Sequence, residues 1–152
     1  MALPNVFTSE VSDSIIRRIN ALNPQSKPNW GKMSVAQMLA HCCVTYEYVY
    51  DDKYKAPNFL VKLMLKLFVK NRVVNETPYK HDSRTAPDFI IANDRDFEAE
   101  KQRLVGFIKQ TQALGASHFD GKESHSFGKL TQTEWNNMFY KHLDHHLRQF
   151  GV

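Results

Sequence analysis

Apolar positions along the chain recur at three- and four-residue spacing, the period of amphipathic helices, and no stretch alternates convincingly as a strand. A first helix is predicted from Ser9 to Leu22, with Val11, Ile15, Ile19 and Leu22 inward, and Asn23-Pro24 breaks it. After a loop through Trp30-Gly31, Ser34-Val35-Ala36-Gln37 has the form of a capping box. It opens a second helix that reaches Tyr50, with Val35, Met38, Leu39, Cys42, Tyr46 and Val49 as its apolar stripe. A third helix is predicted from Pro57 to Asn71. Past Thr77-Pro78 and Ala86-Pro87, Asn93 is expected to cap a fourth helix ending near Gly115, with Phe97, Leu104, Phe107, Ile108 and Thr111 inward. A Gly-, Ser- and His-bearing loop spans Ala116 to Leu130. Thr131-Gln132-Thr133-Glu134 is a second capping box, and the last helix runs to Gly151. The pattern predicts an all-α bundle of four main helices with one accessory helix, in a single domain over 1–152.

The last helix carries the anomaly. At about 100° per residue, Trp135, Phe139, His142 and His146 share one narrow stripe, flanked by Met138 and Phe150. Two imidazoles are thus carried inward, where polar groups need partners. An H-x-x-x-H pair offers two nitrogens to one ion, because side chains at i and i+4 are neighbours. A third ligand has to come from elsewhere. His41 is the other histidine inside a predicted helix, on a half-polar face with Gln37, Thr45 and Tyr48. Packing of the second helix against the last would bring His41, His142 and His146 around one ion with a coordination position open. His145 is the alternative ligand by i, i+3 spacing with His142, and the bland reading is a hydrogen-bonded core histidine. Asp144 points away and is expected to pair with Arg148 on the surface.

Other features qualify this picture. The 152 residues suffice for one core, with 42% hydrophobic and 24% charged residues. The net charge of +4 is dispersed, and no nucleic-acid partner is expected. The N-terminal Met1-Ala2-Leu3-Pro4-Asn5 lacks the basic start and apolar run of a signal peptide. No uninterrupted apolar stretch is long enough to span a bilayer. Cys42 and Cys43 are adjacent and make a poor disulfide framework, so a cytoplasmic location is expected. They read as packing rather than redox groups. Tyr48 is a candidate hydrogen-bond donor near His41, and His125 is a loop histidine within possible reach of the site. Trp30 is expected to plug the base of the bundle, with a place in a pocket wall as the alternative reading. The segment from Asn58 to Lys70 is strongly apolar, with Lys62, Lys66 and Lys70 along one edge. It is read as an accessory helix lying on the bundle with its lysines reaching out to water, ahead of a membrane-surface helix or a homodimer contact.

Two blocks carry a resemblance. Trp30-Gly31-Lys32-Met33-Ser34-Val35-Ala36-Gln37-Met38-Leu39-Ala40-His41 is the first, and Phe127-Gly128-Lys129-Leu130-Thr131 through Trp135 to His142-Leu143-Asp144-His145-His146-Leu147-Arg148-Gln149-Phe150-Gly151 the second. They are similar to the signatures of a bacterial family, domain of unknown function 1569, which resembles the DinB/YfiT-like superfamily of metalloenzymes. The resemblance implies a DinB-like four-helix bundle with an unusual helix order. It implies a divalent metal held by His41, His142 and His146, with Zn or Ni favoured and Fe or Co admissible. It also implies a small-molecule substrate, a low-molecular-weight thiol in a thiol S-transferase-like reaction, with a hydrolase as the alternative chemistry. A non-catalytic small-molecule or protein-interaction module on the same bundle is the competing expectation.

Overall fold

In the computed structural model, which describes residues 2–152, four long helices form the bundle: α1 (Ser9–Ala21), α2 (Val35–Tyr50), α5 (Phe97–Leu114) and α7 (Gln132–Gln149). Between α2 and α5 lie α3 (Phe59–Phe68), α4 (Lys70–Val74) and a 3-10 turn at Pro87–Phe89. Between α5 and α7 come α6 (Ala116–Phe119) and a small antiparallel hairpin of β1 (Glu123–Ser124) and β2 (Gly128–Lys129), with Glu123 opposite Lys129. Met1 lies outside the described residues.

The all-α expectation holds, and the helix starts follow local chemistry. Both capping boxes form as read. Ser34 Oγ accepts from Gln37 N at 3.2 Å while Gln37 Oε1 accepts from Ser34 N at 3.0 Å. Thr131 and Glu134 do the same for α7 at 3.2 and 2.9 Å. The cap of α5 is a correction: Asp96, not Asn93, accepts from Ala99 N at 2.7 Å. The Asp96 carboxylate also meets the positive end of the helix. Asn93 instead offers its carbonyl to Gln37 Nε2 at 3.3 Å.

Around the bundle, α2 packs on α5 and α7, and α1 also packs on α5 and α7. The circular order is therefore α1, α5, α2, α7, and the consecutive helices α1 and α2 lie on a diagonal. Their shared core holds Ile15 and Ile19 of α1, Met38, Leu39 and Tyr46 of α2, Leu104 and Ile108 of α5, and Trp135, Phe139, Leu143 and Leu147 of α7, all buried. Tyr46 is the centre of an aromatic stack, its ring 5.0 Å from Phe139 and 5.6 Å from Phe107. Glu47 is buried on α2 and pairs with Arg103 of α5, which also binds Glu100. That buried ion network fixes the α2–α5 contact beside the apolar one.

The accessory region differs from expectation in two respects. The single helix over 57–71 is two helices, divided at Val69. And two of the three lysines are tied back to carboxylates, Lys62 Nζ reaching Glu123 at 2.6 Å and Lys70 Nζ reaching Glu134 at 2.7 Å, while Lys66 is exposed as expected. The apolar side chains are left outside, with Phe59 82% and Phe68 69% exposed. Glu123 and Glu134 stand where Lys62 and Lys70 can meet them. Only Leu65 of α3 turns partly in.

Below this, α4 is fixed by a buried cation. Lys141 of α7 is 4% exposed and donates to Arg72 O at 2.8 Å, Asn75 O at 2.9 Å and Asn75 Oδ1 at 2.8 Å. Asn137 Nδ2 donates to Val74 O at 2.9 Å. The open carbonyls at the end of α4 are thus capped from α7. Burial lowers the Lys141 pKa to about 8. Lys141→Ala strands these carbonyls, and a loss of about 2–3 kcal/mol is expected for hydrogen bonds to a charged donor. Urea denaturation reads it; an unchanged midpoint with an unchanged slope contradicts the capping role.

Candidate metal centre

Two of the four bundle helices, α2 and α7, bring polar side chains to one point. His41 sits on α2, two turns from the Ser34 cap, and His142 and His146 stand one turn apart on α7. Because α2 and α7 are neighbours, the rings meet: centroids of His41 and His146 are 4.5 Å apart and those of His41 and His142 5.0 Å. One ligand-capable atom from each lies within 4.8 Å of the other two, so the trio could hold a metal ion. His41 Nε2 and His142 Nε2 are 3.0 Å apart. Two nitrogens sharing one tetrahedral ion at about 2.0–2.1 Å each are separated by about 3.3 Å, so the geometry is near that of a shared ligand pair.

The outer ring nitrogens decide what the inner ones can do. His41 Nδ1 lies 2.8 Å from the Phe89 carbonyl, which can only accept, so Nδ1 carries the proton and Nε2 the lone pair. His146 Nδ1 lies 2.8 Å from Gln149 Oε1. That amide is oriented by its other end, since Gln149 Nε2 donates to the Trp30 carbonyl at 2.7 Å. His146 therefore also presents a bare Nε2. His142 Nδ1 is 2.9 Å from Thr45 Oγ1, and a hydroxyl can serve as donor or acceptor. With Thr45 accepting, all three Nε2 lone pairs converge; with Thr45 donating, His142 Nε2 keeps a proton and gives it to His41. Partners on the outer nitrogen that fix tautomer and ring plane are the usual support of a metal-bound imidazole.

Gly31 is part of this support. Its φ is +79°, and a Cβ there would lie 2.6 Å from Gln149 Nε2. A glycine lets the Gln149 amide approach the Trp30 carbonyl and so face His146.

All three rings are held neutral. Burial lowers the His41 pKa, the Phe89 carbonyl partly opposing it, and lowers His146 to about 3, with His41 adding repulsion. His142 is pushed well down by burial and then by His146 and His41. Neutral imidazole is the form that ligates. His41 and His146 are buried, while His142 keeps a partly open face. That face gives onto a cavity of about 540 Å³, lined also by Thr45, Tyr48, His125 and Trp135.

The remaining residues singled out from sequence are distributed as follows. His145 stands beside the trio and not in it: its ring is edge-on to His146 at 5.0 Å and 5.7 Å from both Trp30 and Tyr79. Asp144 pairs with Arg148 as expected, at 2.9 Å, and also with Arg18 at 2.9 Å. Tyr48 Oη donates to Asp88 Oδ2 at 2.8 Å, and its ring stacks on His125 at 3.9 Å, so both line the cavity rather than one capping the other. Trp30 is a correction: it stacks on His81 at 3.8 Å and lines the cavity instead of plugging the bundle. Cys42 and Cys43 are buried free thiols; burial raises Cys42 well above its ordinary value and Cys43 to about 12. They remain protonated and unreactive.

With this geometry established, the sequence can be placed. The sequence model of a family described as "Protein of unknown function (DUF1569)" matches residues 5–151. The chain belongs to that family. No curated protein and no solved structure matches it. In this DUF1569 chain, Gln149, Gly31 and the Phe89 carbonyl are parts of the site that the spacing of histidines did not reveal. Gln149 had a signal, three residues after His146 on one helix. The Phe89 carbonyl had none, because a main-chain oxygen delivered by a loop leaves no mark on side-chain pattern.

The depressed imidazoles set a pH dependence. Above pH of about 6.5 both folded and unfolded chains hold neutral rings and stability is level. Below it the unfolded chain binds protons that the folded one refuses, so stability falls as pH drops. Each such ring contributes up to about 1.4 kcal/mol per pH unit, and His125 and His145, also lowered chiefly by burial, add in the same direction. For metal-free protein, urea midpoints are expected to be clearly lower at pH 5.5 than at 7.5. Equal midpoints would contradict neutral burial.

Proposed function

We propose that this DUF1569 protein is a divalent-metal-binding protein of the DinB/YfiT-like superfamily, acting as a metal-dependent thiol S-transferase-like enzyme. The observation that carries the reading is the shared arrangement of His41, His142 and His146. Each outer nitrogen faces an oxygen, and each inner nitrogen faces the other two rings beside an open cavity. Core histidines that served packing alone would have no need to converge. Three imidazoles suit Zn or Ni, and also Fe or Co. Three protein ligands leave a position for a small molecule. An ion there favours thiolate over thiol, or hydroxide over water, at neutral pH.

The chain's own residues then have separate tasks. His41, His142 and His146 hold the ion; Phe89, Thr45 and Gln149 hold the rings. The cavity admits a low-molecular-weight thiol and an electrophile, and the thiolate displaces the leaving group, which departs with the bonding pair. Cys42 and Cys43 take no part, being buried and protonated. The second reading is a non-catalytic small-molecule or protein-interaction module on the same bundle. Its supporting observation is the apolar outer face of α3, and a strictly monomeric protein with thiol turnover removes it.

The deciding measurement is elemental analysis of natively purified protein beside His142→Ala. About one ion per chain is expected in the wild type and near none in the variant, with helical content alike in both. Equal metal content in the two proteins rejects the site. Gly31→Ala tests the outer support: displacing Gln149 is expected to weaken zinc binding by about 10–100-fold without changing the ligands. Unaltered zinc affinity would show that His146 needs no such orientation.

A further inference from the structure

The cavity beside the trio is polarised along its length. Charged lining residues, Lys32, Lys80, Asp82 and Arg84, belong to the segments that meet at the Trp30–His81 stack, next to Gln149 and His146. Away from that end apolar side chains predominate, with Val49 of α2, Leu65 of α3, Val69, Phe127 and, on α7, Met138, interrupted by Tyr48, His125 and the serines beside it. Trp135 lines the same cavity and is seven residues before His142 on α7, a rise of roughly 10 Å. Its indole Nε1 is buried with no hydrogen-bond partner among the described residues, although the residue is only 2% exposed. Buried indole N–H groups ordinarily find an acceptor. The ring itself is well packed, with Phe139 5.5 Å and Phe119 5.4 Å away, so the orphan N–H does not come from a loose side chain.

We infer that the cavity binds an elongated amphipathic molecule. Its polar, reacting head lies at His41, His142 and His146, its apolar body runs roughly 10 Å along α7 past Met138, and an acceptor near its far end receives the Trp135 N–H. A volume of about 540 Å³ falls within the range of about 300–1,000 Å³ for small-molecule sites. The placement of the head rests on the metal reading above; the apolar body and the acceptor do not. A substrate of this class differs from a small hydrophilic thiol or peptide, which would leave Val49, Leu65 and Phe127 facing water.

The test needs no metal and no label, because both tryptophans of the chain, Trp30 and Trp135, line the cavity. Straight-chain alcohols from butanol to decanol are titrated into chelator-treated protein, with tryptophan fluorescence as the readout. Affinity is expected to rise about fourfold per methylene and then level off as the apolar end fills. Affinity independent of chain length overturns the inference. The acceptor is tested with decan-2-one against nonane: Trp135→Phe keeps an aromatic ring but lacks the N–H and the second ring, a loss of volume that both ligands feel alike. It is expected to lose about fivefold more for the ketone than for the alkane. Equal losses for both overturn the Trp135 role. Chain-length dependence in a protein that holds no zinc supports the apolar site while the metal reading falls. Zinc bound without chain-length dependence does the reverse.

Discussion

Converging imidazoles in a bundle interior constrain everything around them. A neutral imidazole has one donor and one acceptor, and a buried one must place both. Three of them beside each other cannot settle this internally, since they hold three protons and face each other with only three inner nitrogens. The outer nitrogens are therefore served from outside the cluster, and by three different parts of the chain. His41 uses the Phe89 carbonyl from the 3-10 turn, His142 uses Thr45 on α2, and His146 uses Gln149 on α7, itself anchored to the Trp30 carbonyl. Segments that look like ordinary connections are in this way fastened to the site.

The helix order follows the same requirement. Histidines on α2 and α7 have to be neighbours, although about a hundred residues separate them. Placing α1 diagonal to α2 makes room for α7 beside α2. The α1–α2 connection then crosses the end of the bundle, and Trp30-Gly31 arrives against Gln149. A simple up-and-down order with short links would bring no loop there. The positive φ of Gly31 and its closeness to the Gln149 amide are the local cost of that route.

Much of this was legible in the chain itself. Both capping boxes, the stripes of α1, α2, α5 and α7, and the inward run Trp135, Phe139, His142, His146 are written in local spacing and chemistry. Local spacing also placed Asp144 against Arg148. What failed depended on distant partners. The lysine edge of α3 was expected outside because a lone amphipathic helix hides its apolar face. The carboxylates that Lys62 and Lys70 meet, Glu123 and Glu134, come from a hairpin and a helix some sixty residues later. Lys141 was invisible for the same reason: a lysine reads as surface until the carbonyls of Arg72 and Asn75 are seen above it. Trp30 and the Phe89 carbonyl owe their roles to loop paths that periodicity does not encode.

The hydroxyl of Thr45 explains how such a site can coexist with a stable fold. When it donates to His142 Nδ1, the inner proton of His142 bridges to His41 Nε2 across 3.0 Å, and every atom of that pair is satisfied without an ion. When it accepts, the inner nitrogens are all bare and suited to a cation. Exchange between them needs a rotation of the hydroxyl about one bond and a shift of the His142 proton between Nε2 and Nδ1, and moves no backbone. An ion there would select the tautomer with a bare Nε2, with no net loss of a proton from the pair and no disordered chain to order. This separates the protein from small domains whose folding is their metal binding. Here Ile19, Leu39, Leu104 and Phe139 pack the four helices around an apolar core. The histidine site is consequently free to be shaped by chemistry at the cavity instead of by the needs of stability.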